Sequence, residues 1–334
     1  MSPSQDVAAG TVAQYRAARE DAVLSDRSDL DRLRIEGADA QDLLHRLTTN
    51  DILSLEPGTG TAAAFVTAKG RLIDLVTLHR LRVDILCVTG PGRGAAVAAH
   101  IDRYTFRESV RVTDASRTLG TLAIYGARAL ERAARLFGRD AASRPPHHTA
   151  EVELEGARAL LGRWFPLGGE AYHLTADAGA LTILRGAIRE ACGDLLEAGP
   201  ECVEVLRIEA GLPAAGREVT EEYNPWEARL GDAISLDKGC YVGQEVVARL
   251  NTYNKVSKYL VRLRVLGDVP APGARLERDG GGTIGTLTSA ARVPGEDRVV
   301  ALGYVRDEDA AAGGTIAVAD GERRFRAEIQ GLAR

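Results

Sequence analysis

Three apolar runs, at 62–67, 72–81 and 83–89, stand too close together for a helix to intervene between any two of them. Parallel neighbours need a crossover of a dozen or more residues, so these runs read as consecutive antiparallel strands. Lys69, Gly70 and Arg71 form a plausible hairpin turn between the first two. This block constrains the whole chain. Its strands come in groups, and helical stretches interrupt them without a regular βαβ beat, which places the chain in the α+β class.

Residues 21–36 alternate toward a strand that ends in a turn at Gly37. Helical spacing follows over 39–47, with acids early, where the helix dipole favours them. Residues 94–107 read as a helix, 110–114 and 122–126 as strands, and an alanine-rich helix then ends near Gly138. The segment 139–149 holds Pro145, Pro146, His147 and His148. It reads as an exposed linker or long hairpin loop, and as the break between two subdomains. Strands resume at 151–165 and 171–175, and helices at 178–191 and 200–211. Past Lys258 the runs at 259–266, 283–290, 299–305 and 315–319 are short and split by Gly- and Pro-rich turns, the pattern of a small β-barrel. Three parts result: 1–20, a tail or helix whose first ten residues read as loose; 21–258, an α+β region of two subdomains; and 259–334, the barrel.

A net charge of −5 argues against broad binding of nucleic acid or anionic membrane. No run approaches the roughly 20 apolar residues of a membrane span. The first ten residues lack the basic and apolar regions of a secretory signal, so the cytoplasm is the expected compartment. The four cysteines form no C-x-x-C pair and match no zinc spacing. Cys87 lies in an apolar run and reads as a core thiol; Cys192 and Cys202 sit at helix ends. Cys240 alone lies in a polar loop flanked by glycines. His147 and His148 have no acid or cysteine at ligand spacing and read as loop residues.

Chemistry concentrates in 236–245. Residues 233–236 look like a strand, 238–243 like a turn, and a helix starts at Gln244. Cys240 then stands just before a helix N-terminus and beside Lys238, and both features favour a thiolate. It is open to reading as a nucleophile, a redox thiol, a ligand to a transient metal or cluster, or a small residue filling a tight turn. Glu209 has Val205, Leu206 and Leu212 as helical neighbours. A carboxylate among apolar groups must be paired, hydrogen-bonded or neutral, so it caps a loop, pairs with an arginine, or accepts from the donors of a bound heterocycle. Asp74 is an acid in an apolar strand, facing either a pocket or solvent. Residues 216–227 form a long ordered loop, of the length that usually carries function.

The run Lys238-Gly239-Cys240-Tyr241-Val242-Gly243-Gln244-Glu245 resembles the signature of the YgfZ-type folate-binding proteins, relatives of the glycine-cleavage T-protein, an aminomethyltransferase. The stretch 206–212 and Asn224-Pro225-Trp226-Glu227-Ala228 look like T-protein central motifs, and Thr48-Thr49-Asn50-Asp51 like its early one. Gly285, Thr288-Ser289 and Ala301-Leu302-Gly303-Tyr304 look like its C-terminal barrel. The resemblance implies three subdomains around a central opening that holds tetrahydrofolate or a one-carbon derivative. It implies Glu209 at the pterin and Lys238 toward the folate tail, with Tyr241, Gln244, Glu245 and Glu227 as further folate-site residues. Asp74 falls where the T-protein carries its catalytic acid, but Leu75 follows it where that family has a second acid.

The resemblance further implies an accessory role in assembly or repair of iron–sulfur enzymes, with effects on tRNA modification and Cys240 as the working thiol. Its partners would be folate and iron–sulfur client or assembly proteins, with no direct nucleic acid and no membrane. One alternative is a folate-dependent aminomethyl or one-carbon transferase using Asp74 and Glu209. Another is a non-catalytic interaction module, which tight folate binding would count against.

Overall fold

The computed structural model describes residues 3–253, 255–278 and 281–334. The strands Gly60–Val66, Leu72–Arg80 and Asp84–Thr89 pair antiparallel in succession. Asp31–Glu36 and then Arg111–Asp114 complete this five-stranded sheet. Arg111–Asp114 is mostly exposed and charged, which blunts an otherwise open edge.

A second sheet has six strands in the order Leu196–Glu197, Val23–Asp26, Leu119–Gly126, Glu170–Asp177, Ala157–Arg163, Thr149–Leu154. The third unit is a closed barrel of six strands: Lys258–Leu266, Val299–Arg306, Thr283–Arg292, Arg275–Arg278, Thr315–Asp320 and Arg323–Leu332. The α+β class and the C-terminal barrel are therefore as the sequence indicates. Two barrel strands escape the sequence reading. Arg275–Arg278 and Arg323–Leu332 are rich in charge, because their outward faces meet water and hide the period-2 signal.

The start of the chain differs from the loose tail expected over its first ten residues. A helix runs Pro3–Glu20, and its alanines supply the propensity. Tyr15 and Ala18 are buried in the core shared with helix Pro200–Glu209. The segment 139–149 is largely exposed, as expected, but it is not structureless. It begins with a short helix, Arg139–Ala142, and leads into the outer strand Thr149–Leu154. The His147 ring packs on Phe165 at 4.7 Å, and its carbonyl meets His79 Nδ1 at 2.9 Å. The chain passes from the five-stranded to the six-stranded sheet earlier, between Asp114 and Leu119. Proline and histidine punctuation marks a turn, and a turn inside one sheet reads like a link between two.

Helix Pro200–Glu209 is the hub. Pro200 opens it, where a missing N–H costs nothing. Its buried Val205, Leu206 and Ile208 share one core with Val66 and Leu72 of the first sheet, Ala123 and Tyr125 of the second, and Leu302 and Tyr304 of the barrel. Among the described residues no helix is long and apolar enough to cross a membrane.

Barrel closure sets a sharp limit at Gly285. A Cβ there would meet the Tyr304 carbonyl oxygen at 1.8 Å. Gly285→Ala is expected to cost at least about 3 kcal/mol of stability, read as a lower urea midpoint.

Candidate functional site

A cavity of about 510 Å³ opens where the two sheets and helix Pro200–Glu209 meet. Leu30, Leu75, Val88, Trp164 and Phe165 give it apolar walls, and Asp74 lies on its floor. The strand Leu72–Arg80 is buried almost throughout, so its pleat has no solvent face to offer an acid. Asp74 is 1% exposed. Its Oδ2 accepts the Gly90 N–H at 3.0 Å, while its Oδ1 has no partner. Burial pushes the carboxyl up to about 7, against the pull of the Gly90 amide and of Arg93. A side chain at Gly90 would meet Ala215 Cβ at 2.3 Å and Asp74 Oδ1 at 3.5 Å, so glycine lets the backbone approach the acid.

The wall opposite is aromatic. Trp164 follows strand Ala157–Arg163 and stacks on His173, with ring centroids 4.1 Å apart and planes 15° apart. His173 Nε2 lies 2.7 Å from Tyr125 Oη, which accepts from Arg27 Nη1 at 3.1 Å. Burial first, and the charge of Arg27 second, hold His173 well below the ordinary histidine range. The rim carries Glu204, which accepts from Arg207 at 2.7 Å and from Arg217 at 2.5 Å. Burial opposes its charge, yet these guanidiniums hold Glu204 below the usual carboxylate range.

Glu209 belongs to a second cavity, of about 710 Å³, which also takes in Arg19, Glu170, Asp232 and Arg334. Phe165 and Leu212 line both cavities. Residues 200, 203, 204 and 207 of the helix face the first cavity, and 206, 209 and 210 face the second. This helical spacing separates Glu209 from Asp74. The Glu209 carboxylate accepts from Tyr15 Oη and from Arg298 Nη2, each at 2.9 Å. An arginine partner is one of the readings its sequence setting leaves open.

The remaining expected residues line neither cavity. Lys238, expected toward a folate tail, is engaged within the fold. Its Nζ is buried on the carbonyls of His45 and Thr48, the latter at 2.7 Å, at the end of helix Ala40–Leu47. It satisfies helix-end carbonyls that lack intrahelical donors, and burial lowers it to about 8. Lys238 is thus turned away from solvent, whereas Cys240, two residues on, is exposed. Tyr241 is buried beside it, with Lys238 Nζ 4.9 Å from the ring centroid.

Gln244 opens helix Gln244–Thr252, and its Oε1 accepts the Tyr241 N–H at 3.4 Å. Glu245 is exposed and pairs with Arg249 at 2.6 Å. Glu227 is buried, accepts the Asn224 N–H at 2.9 Å, and is raised by burial. The strand expected at 233–236 is a 3-10 turn, Gly231–Ala233, and then irregular chain. A short apolar run of this length cannot be assigned by periodicity alone. Cys87, Cys192 and Cys202 are buried; Cys240 is exposed. Among the described residues no group of three or more His, Cys, Asp or Glu is arranged to hold a metal.

The sequence motifs prove to be joints between units. Thr48–Asp51 carries the 232–242 stretch: Thr49 Oγ1 donates to the Ala233 carbonyl at 2.6 Å, and Ser235 donates its N–H to Thr49 at 2.9 Å. Arg207 reaches Glu218 at 3.0 Å and the barrel's Ser289 at 2.8 Å. Tyr304 Oη donates to the Glu218 carbonyl at 2.8 Å.

Residues 3–238 match the GCVT N-terminal domain. The chain belongs to the GCVT N-terminal domain family. That match spans both sheets and the hub helix, and stops two residues short of Cys240. Among relatives, a chloroplastic protein of Arabidopsis thaliana named Putative transferase is 29% identical over 314 residues, 93% of this chain and 72% of that protein. An aminomethyltransferase of Saccharopolyspora erythraea is 28% identical over 311 residues, 92% of this chain and 84% of that protein. The crystal structure of the glycine cleavage system aminomethyltransferase T from Bartonella henselae superposes with a TM-score of 0.81 at 21% identity, over 97% of this chain and 91% of that one. The GCVT-domain fold is thus shared.

Within this GCVT-domain protein, sequence reasoning missed Trp164, Arg27, Glu204 and Arg217. None stands in a motif. Trp164 is one of only two tryptophans, which is the sole signal it offers.

Proposed function

We propose that this protein binds tetrahydrofolate, or a one-carbon derivative of it, in the Asp74 cavity. We further propose that it serves through Cys240 as an accessory protein in assembly or repair of iron–sulfur enzymes, with knock-on effects on tRNA modification. The observation that carries the folate reading is Asp74 itself, a buried carboxyl with one unpartnered oxygen, in the lining of a cavity of ligand size. The residues present fit such a ligand. Asp74 Oδ1 is free to accept an N–H from a pterin edge, Trp164 and Phe165 can cover a flat ring, and Arg217 stands at the rim for a carboxylate tail. When bound, tetrahydrofolate supplies nitrogen atoms that carry a one-carbon unit. The chain's own part is to exclude water with apolar walls and to hold or release a proton at Asp74 near neutral pH.

The iron–sulfur reading is supported by the exposed Cys240 within the Lys238–Glu245 run. That loop is held in place, since Lys238 is locked on the end of helix Ala40–Leu47 and the Val242 N–H donates to the Arg46 carbonyl at 3.0 Å. Cys240 lines neither cavity, so thiol chemistry and folate binding are separate on this reading. The second reading, one-carbon transfer, is favoured by a carboxyl poised at about 7, and relatives are named aminomethyltransferase.

Calorimetry under anaerobic conditions tests the placement. Wild type is expected to bind tetrahydrofolate, with Cys240→Ala and Glu209→Gln both within about twofold of it. A tenfold loss in Glu209→Gln would move the ring to the second cavity. In cells lacking the protein, Cys240→Ala is expected to lose support of a cluster enzyme while still binding folate. Full support by that variant would remove the thiol role, and aminomethyl transfer lost in Asp74→Asn would favour the transferase.

A further inference from the structure

We propose that Trp164 is the ring-stacking platform of the Asp74 cavity, gripping the bicyclic end of the ligand and not its aryl-glutamate tail. This rests on the tetrahydrofolate reading above. One face of the indole is covered by His173, stacked at 4.1 Å and 15°. Phe165 meets Trp164 nearly at right angles, with centroids 5.4 Å apart and planes at 80°. The indole is part-exposed and forms cavity wall. These two partners fix its orientation, and the part-exposed indole forms part of the cavity lining.

The support beneath it is also fixed. An arginine has only donors, so Tyr125 Oη accepts from Arg27. That hydroxyl then gives its own proton to His173 Nε2, at 2.7 Å. His173 is thus neutral with its proton on Nδ1, and its plane is set by a hydrogen bond. A chain from Arg27 through Tyr125 and His173 holds the indole. Such rigidity matters because a flat ring gains from stacking only when the platform loses no freedom on binding.

Asp74 and Trp164 together define what fits. Asp74 puts a carboxyl with one unpartnered oxygen in the cavity lining, which its ionised form would offer to a donor at a ring edge, and Trp164 adds an aromatic surface to the same lining. A pterin offers a donor edge and a flat face at one end of the molecule. The p-aminobenzoyl-glutamate tail has a single, smaller ring with one amine at its edge, whereas the pterin has a fused bicycle with several N–H donors, so the pterin matches the pair more fully.

Three probes test this by calorimetry: tetrahydrofolate, 6-methyltetrahydropterin as the ring alone, and p-aminobenzoyl-glutamate as the tail alone. Trp164→Leu is expected to weaken the first two about tenfold and to leave the third unchanged, while Trp164→Phe stays within about threefold. Because the chain has two tryptophans, Trp226→Phe isolates Trp164 fluorescence. The ring probe is expected to quench it and the tail probe to leave it unchanged. Wild type that binds tetrahydrofolate while Trp164→Leu binds equally well would overturn the platform alone. Quenching by the tail and not the ring would overturn it too. Wild type that binds no tetrahydrofolate would bring down the folate reading, and this one with it.

Discussion

Asp74→Asn is expected to make the protein more stable at pH 8 and to weaken its hold on tetrahydrofolate at least tenfold. The carboxyl ordinarily titrates near 3.8, and burial pushes it up to about 7 in the fold. The folded state therefore favours the protonated form. Wild type loses stability as pH rises from about 4 through about 7, because the folded chain resists a charge that the unfolded chain accepts freely. The loss approaches an order of 4 kcal/mol above pH 7, reduced by whatever relaxation the site allows. Asparagine has no charge to acquire. It can still accept the Gly90 N–H, and its amide nitrogen takes the place of the carboxyl oxygen that has no partner.

Its thermal midpoint should exceed that of wild type by up to roughly 6 °C at pH 8, with the gap closing toward pH 4. The loss in affinity follows from removing a hydrogen bond to an ionisable group, worth about 1.5–3 kcal/mol. Melting curves at several pH values, set beside calorimetry, check both halves. Equal midpoints at every pH would show that Asp74 is not held as an acid. A site that stabilises the protein when neutralised is the pattern of a group retained for chemistry.

Arg207→Leu is expected to cost about 3–5 kcal/mol, the largest loss of any single change at the hub. Glu218 is 0% exposed. Without Arg207 it would keep only the Ala214 N–H at 2.9 Å and the Ser289 hydroxyl at 2.6 Å, with no opposite charge beside it. An uncompensated buried carboxylate is far more costly than a lost surface pair. Glu204 would retain Arg217, so the cavity rim keeps part of its charge network. Adding Glu218→Gln to Arg207→Leu should recover part of the loss, since it removes the orphaned charge. Urea denaturation of the two variants checks this. A double variant no more stable than the single one would show that the orphaned charge is not the cause.

The antiparallel block at 60–90 was legible because its runs are apolar and its turn is short. The barrel was legible from evenly spaced turns, although two of its strands, Arg275–Arg278 and Arg323–Leu332, hid behind outward-facing charge. Asp74 stood out as a lone acid in an apolar strand, and it does line a cavity. The Lys238–Glu245 run stood out more strongly, yet most of it serves construction. Lys238 looked like a ligand-binding cation and is a helix cap, because nothing local announces which carbonyls a lysine will find 190 residues away.

Trp164 shows the converse. Its neighbours in sequence are ordinary, and its setting comes from His173, Tyr125 and Arg27, supplied by two strands and a loop.

The sequence by itself determined the α+β class, the C-terminal barrel, and Cys240 as the one cysteine outside the core. Those are matters of local period, turn chemistry and polarity, which a short window contains. The tertiary structure alone decided that Asp74 and Glu209 face different cavities. Both sides of helix Pro200–Glu209 are packed, so its apolar stripe could not say which acid met which unit. That question is settled by long-range packing, where residues far apart in the chain share one wall.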